Sequence, residues 1–346
     1  MIILVRVMKK SGTRVKILGL ILLVLIVIAA ALLYPLVKIR YLPSESHQLH
    51  PAGLSENAGR LHSHVEALSS GIGPRSAEDY DALVKSMRYI IGNLNKWGYT
   101  PVVQEFEYKG KKHLNIEASI KGTAAPQEII LIGAHYDTVE GTPGADDNAS
   151  AVAVLLEMCR MMKGSAPART LKFIFFALEE RPAFATRFMG SEVYATSARE
   201  MGADIRGMVC LEMLGYFSDR IDGQSIPLPL LGKGISTTPN FIAIIGNEAS
   251  QGLVAAVRKS IESGCRVPVE SLVATRLIPG IDFSDHRSFW RAGYEAVMVT
   301  DTAFYRNPNY HTSSDTIETL DFEKMADLLK GLVEAAADLS NNKRGQ

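Results

Sequence analysis

From residue 128 onward, short apolar runs of strand length alternate with longer stretches of helical period. The runs 128–134 (EIILIGA), 171–178 (LKFIFFAL), 207–213, 241–245 and 295–300 read as buried strands. Between and after them, 149–162, 191–198, 249–263 and 322–339 repeat their apolar residues at helical spacing. Upstream, 58–68 and 79–97 read as amphipathic helices, and 99–108 and 113–120 alternate like half-exposed strands. This order predicts an α/β fold: a largely parallel, mixed, twisted sheet with helices on both faces. Such sheets bind ligands in the crevice beyond the carboxyl ends of their strands, so polar residues just past an apolar run are the first candidates for chemistry.

The first run ends in GAHYDTVEGTPGADDNAS. His135 closes the strand and Asp137 follows two residues on. A metal-bound imidazole commonly gives its second N–H to a carboxylate, which fixes tautomer and ring orientation. The blander reading is a hydrogen-bonded pair at a strand end. A glycine-rich loop then delivers Asp146 and Asp147 just before a helix, where an Asp could equally be a cap. The second run ends in Glu179 and Glu180, and paired carboxylates at the tip of a buried strand are costly unless something binds them. In the third, MVCLEMLGY, Glu212 interrupts apolar residues. Near the C-terminus NPNYHTSSDT offers Tyr310 and His311, and FSDHRSFW offers Asp285 and His286. Together these put two His and several carboxylates after successive strands, a nitrogen and oxygen donor set that suits zinc. HExxH, GxSxG and GxxxxGK[ST] are absent.

The N-terminus carries a separate signal. Residues 17–37 are uncharged and apolar; as a helix they would span roughly 31 Å, close to the ~30 Å hydrocarbon core. Arg6, Lys9, Lys10, Arg14 and Lys16 precede the run, and no acid occurs before Glu45. The expectation is a basic cytoplasmic tail (1–16), a signal-anchor helix crossing the lipid bilayer (17–37), a linker (38–55) and a catalytic domain (56–346) outside the cytoplasm. A cleaved signal peptide is the rival, although its apolar core is usually ~7–15 residues. Net charge is zero, but 1–40 hold seven of the 37 Lys and Arg and no acid. The remaining 30 basic residues face 37 acidic ones, which argues against nucleic acid as a partner. Three cysteines without a CxxC pair give no disulfide framework.

At the residues quoted above, the chain resembles metallopeptidase family 28, the aminopeptidase S-like group. That group also holds glutamate carboxypeptidases, glutaminyl cyclases and the transferrin receptor ectodomain. The resemblance covers roughly 56–339 and includes GPRSAEDYDAL, LNIEASIKG, MGSEVYA and SDHRSFWRAGYEAVM. It implies a zinc-peptidase fold binding two Zn2+ per chain, with Asp147 as shared ligand. One zinc would take His135 and Glu180, the other Glu212 and His311. Glu179 would be the general acid/base, Asp137 would hold His135, and Tyr310 would steady an oxyanion. The implied reaction is hydrolysis of a peptide by a hydroxide bridging the zincs, most simply removal of N-terminal residues. A mono-zinc acyltransferase and a non-catalytic ectodomain are the alternatives. The resemblance also implies a cis bond after Asp147. Glu212 departs from the Asp found there in many of these aminopeptidases, and 181–189 is longer than the usual segment.

Overall fold

A computed structural model describes residues 55–227, 230 and 234–341, together with the backbone of 40–42. The strands are β1 (Arg40–Leu42), β2 (Val102–Tyr108), β3 (Lys111–Ile120), β4 (Ala125–His135), β5 (Arg169–Phe176), β6 (Asp204–Glu212), β7 (Ile242–Gly246), β8 (Val269–Val273) and β9 (Ala296–Thr300). The helices are α1 (Glu56–Val65), α2 (Tyr80–Lys96), α3 (Ala151–Met162), α4 (Gly190–Glu200), α5 (Gln251–Gly264), α6 (His286–Arg291) and α7 (Phe322–Asn341). One sheet runs in the order β1-β8-β7-β9-β6-β4-β5-β3-β2.

The centre of this sheet, β9-β6-β4-β5, is parallel, as the strand–helix alternation requires. The flanks are not: β3 pairs antiparallel to β5, β2 to β3, β7 to β9 and β1 to β8. The sheet is therefore mixed rather than largely parallel. Hairpin-type connections need no crossover helix, so they add strands at the edges. β5 is buried along nearly its whole length and β4 over its second half, where Ile, Leu and Phe predominate; β2 alternates exposed and half-buried positions, as an edge strand must. α1, α3, α5 and α7 contribute to a large core on one face. Ala195 and Ala198 of α4 and Phe289 and Trp290 of α6 pack on the other.

Three elements escaped the sequence reading: β1, β8 and the short helix α6. β8 is five residues long, follows Pro268 and contains Glu270, so it lacks an apolar run. Arg40–Leu42, within the expected linker, pairs with β8 at the sheet edge. The expected tail and membrane span (1–37) and the rest of the linker before Ser55 lie outside the described residues. Among the described residues, no helix is long and apolar enough to cross a membrane.

Candidate metal centre

The carboxyl ends of β4, β5 and β6 deliver His135, the Glu179–Glu180 pair and Glu212 to one place. A turn at Ala145–Ser150 brings in Asp147, and the loop after β9 brings in His311. His135 Nε2 lies 3.3 Å from Asp147 Oδ1 and 3.4 Å from Glu212 Oε2. His311 Nε2 lies 3.1 Å from Asp147 Oδ2 and 3.2 Å from Glu180 Oε1. Asp147 thus turns each of its two oxygens toward a different histidine, and each histidine has its own glutamate. Donors held on a tetrahedron ~2.0–2.2 Å from a zinc ion stand ~3.3–3.6 Å apart, close to these separations. His135 Nε2 and Asp147 Oδ1 are buried and have no hydrogen-bond partner, as donors awaiting a cation would be.

The five residues expected as ligands therefore come together, but not in the implied pairs. His135 Nε2 stands closest to Asp147 and Glu212, and His311 Nε2 to Asp147 and Glu180, although Glu179 and Glu180 also lie within reach of His135. The orientation of the His135 ring explains this. Its Nδ1 donates to the backbone carbonyl of Asp137 at 3.2 Å, which leaves Nε2 facing Asp147 and Glu212. Asp137 stands against His135 as expected and has a second task. Its carboxylate stands 3.4 Å from Nδ1, while its two oxygens accept the N–H groups of Glu179 and Glu180 at 3.0 Å each. It organises the acidic end of β5, and its main-chain oxygen and carboxylate together hold the imidazole.

Electrostatics follow from crowding acids in a buried site. Burial pushes the Glu179 carboxyl well above the usual range, with Glu180, Glu212 and Asp285 adding to the effect. Burial and the neighbouring Asp147 push Glu180 up to about 8. Burial opposes a charge on His311, yet Asp147 and Glu180 carry it up to about 10. Four carboxylates and two imidazoles share too few positive charges, and a divalent cation would relieve that imbalance.

Several residues support the cluster, and of these only Asp146 was singled out from sequence. Asp315 is fully buried and accepts the N–H groups of Asp146 (2.8 Å) and Asp147 (3.1 Å). Asn148 bridges the end of β6, donating to Leu211 O and accepting from Met213 N. Asp146 faces away from the cluster, accepting from Gly215 N and Asn307 Nδ2. Ser284 Oγ donates to Glu212 Oε2 at 2.5 Å. Arg75 is buried and its guanidinium donates to the carbonyls of Leu68, Gly73, Tyr136, Pro143 and Gly144, locking the loop that carries Asp147. The Asp147–Asn148 peptide is cis, as the resemblance implies. Leu178, Met213 and His311 adopt positive φ beside the clustered side chains, the kind of strain that gathers at functional sites.

Tyr310 stacks on His311, with ring centroids 3.7 Å apart. Beside them opens a cavity of about 110 Å³ lined by Glu212 and Tyr310 and then by Leu230, Ile245, Leu272 and Met298. Asp285 and His286 are buried in α6 and at its start, outside the three groups of clustered donors.

The sequence pattern of peptidase family M28 matches residues 115–336, which include every residue of this cluster. The chain belongs to peptidase family M28. Among its relatives, the uncharacterised protein YfbL of Escherichia coli (strain K12) is 35% identical over 300 residues, covering 84% of this chain and 89% of that protein. Leucine aminopeptidase 1 of Arthroderma otae is 30% identical over 257 residues; the match covers 70% of this chain but 62% of that protein, whose length the M28 chain therefore spans only in part. The fold is that of BSAP, a zinc aminopeptidase from Bacillus subtilis, with a TM-score of 0.66 at 17% identity over 85% of this chain and 98% of that one.

Proposed function

We propose that this M28 chain is a two-zinc aminopeptidase acting on peptides with an apolar N-terminal residue. The observation that carries the reading is Asp147, whose two oxygens face two separate His–Glu pairs. His135, Asp147 and Glu212 would hold one Zn2+, and Asp147, Glu180 and His311 the other. Zinc bound there supplies a Lewis acid and lowers the pKa of water.

The chain's own residues then divide the work. Glu179 shares one neighbourhood with His135 and Glu180. Buried among acids, its carboxylate is a stronger base than one in water, suited to take the proton of the attacking water and return it to the leaving amine. Asp137 fixes the backbone of Glu179 and so holds that base in place. Tyr310 is kept protonated by burial; its hydroxyl would donate to the substrate carbonyl as negative charge develops. The apolar cavity would seat the first side chain of the substrate. The leucine aminopeptidase relative supports this specificity.

A mono-zinc acyltransferase would leave one His–Glu pair without work, and a non-catalytic ectodomain both. The test is zinc per chain together with hydrolysis of leucine p-nitroanilide against its N-acetylated form. Two zinc ions and cleavage of the unblocked substrate alone are expected. One zinc, none, or equal cleavage of both substrates would remove the reading.

For location, we take residues 17–37 as a signal anchor in the bilayer, with the catalytic domain outside the cytoplasm; the basic excess before the run supports this. Protease added to intact cells or spheroplasts should release an active fragment. Protection of the domain would reverse the orientation.

A further inference from the structure

Between the glutamate pair and α4 the chain makes a long excursion, residues 181–189. Its first turn is tight: Ala183 N and Phe184 N both donate to Glu180 O at 3.0 Å, and Thr186 N donates to Ala183 O at 3.0 Å. Ala183 is wholly buried and pins this turn to the body of the domain. The far end is fixed by Gly190 N, which donates to Ala177 O at 2.8 Å. The half-buried Phe184 ring meets the edge of Phe283, with centroids 6.0 Å apart and planes at 78°. From there the row of rings continues. Phe304 stands 6.4 Å from Phe283, Tyr310 stands 5.6 Å from Phe304, and Tyr310 stacks on His311. The rings thus run in an arc from the segment after Glu180 round to His311.

Phe283 and Phe304 also line the apolar cavity beside Tyr310, so this part of the arc is its lip. Phe283 is 47% exposed and Phe304 40%, and no other Phe, Tyr or Trp among the described residues is exposed. Apolar surface gathered in one place beside a pocket marks a binding surface. Resting on the aminopeptidase reading above, we propose that Phe184, Phe283 and Phe304 form a subsite for the second side chain of the substrate, so that the enzyme selects peptides with an apolar or aromatic residue in position two as well as in position one. Two geometric points choose this occupant. With the first side chain in the cavity, the next Cα stands only ~3.8 Å further along the peptide, at the lip. The leaving amine belongs to that second residue and takes its proton from Glu179, whose neighbour Glu180 holds the turn that carries Phe184. The departing residue therefore passes these rings. The exposed surfaces of Phe283 and Phe304 can stack on a further ring or meet it edge-on.

The full chain loaded with zinc would be given Leu-Phe-amide, Leu-Gly-amide, Leu-Phe-Gly-amide and Leu-Gly-Phe-amide, with free leucine measured by chromatography. The expected kcat/KM is about tenfold or more higher for Leu-Phe-amide than for Leu-Gly-amide, the discrimination an apolar subsite gives. In the longer pair the preference should follow Phe in position two. In Phe184→Ala the ratio should fall to about threefold or less, and Phe283→Ala gives the same reading where the first variant does not fold. The ratio is the readout, because a change in rate common to both substrates does not move it. A parent ratio near unity, a preference that follows position three, or a ratio unmoved in the folded variant overturns the subsite while leaving the aminopeptidase reading intact. So does a dimer that Phe283→Ala dissociates, with no preference at position two, since the rings would then belong to a second copy of the chain. No cleavage of any of these peptides defeats the aminopeptidase reading, and the proposal with it.

Discussion

Asp137 offers a sharp test of how the site is held. An Asp two residues after a candidate metal-binding His is expected to act on the imidazole; the structure puts its carboxylate beside that ring and gives it further work, accepting the N–H groups of Glu179 and Glu180. Asp137→Asn separates the two roles. The Asn oxygen can keep one of these N–H groups, while its amide hydrogens face the other. One hydrogen bond to a charged acceptor, ~1.5–3 kcal/mol, is lost, and a buried donor is left unpaired at ~1–3 kcal/mol. These overlap, so a net cost of about 2–4 kcal/mol is reasonable for a side chain that is almost wholly buried. The His135 ring keeps its main-chain acceptor, Asp137 O. Urea denaturation of the metal-free protein should therefore show the full loss, before any metal chemistry intervenes. Zinc affinity should fall ~10–100-fold, as it does when a group supporting a ligand is removed. Metal-free stability within ~0.5 kcal/mol of the parent, combined with weaker zinc binding, would refute the reasoning, because Asp137 would then act on the imidazole alone.

Glu179→Gln should keep zinc near the parent level and lower kcat by at least ~10²–10⁴-fold with little change in KM, whereas Glu180→Gln should lose zinc first; metal analysis of both proteins decides whether the two roles are assigned in the right order. Asp315→Ala removes the acceptor for both Asp146 N–H and Asp147 N–H, so zinc affinity should fall ~10–100-fold in a competition titration although Asp315 is not grouped with the metal donors. His286 is held neutral by burial, its pKa lowered to about 4 from an ordinary 6.5. Because the folded value is the lower one, the unfolded chain binds the extra proton, and stability is lost as pH falls from 6.5 toward 4. At ~1.36 kcal/mol per unit this approaches roughly 3 kcal/mol; urea melts of metal-free His286→Gln should lack that part of the acid loss. Met298→Trp should fill part of the apolar cavity and lower kcat/KM for leucine p-nitroanilide more than for the alanine substrate; an equal loss on both would place the substrate elsewhere.

How much of this was legible in the chain follows from what kind of information each feature needs. His135, Glu179, Glu180 and Glu212 stand directly after apolar strand runs, so local pattern and the rule for open α/β sheets bring them to one crevice. His311 has no such run directly before it; the sequence offered it as one polar-loop candidate, and family resemblance supplied its role. The pairing of ligands was a different matter. β4 lies between β5 and β6, so adjacency in the sheet leaves His135 equally free to join Glu180 or Glu212. The ring is held by the Asp137 carbonyl and carboxylate at Nδ1, with Nε2 toward Asp147 and Glu212, and the sequence pattern alone does not give that orientation. Asp315 was invisible for the same reason. Its partners lie 168 and 169 residues away, and among the polar residues of NYHTSSDT it reads as a solvated loop acid. Arg75, inside a quoted motif, reads as a surface charge until five carbonyls are seen around it. Local pattern therefore finds the donors that strands present. The second layer is built from main-chain oxygens and distant carboxylates, and it is this layer that sets which donors share an ion.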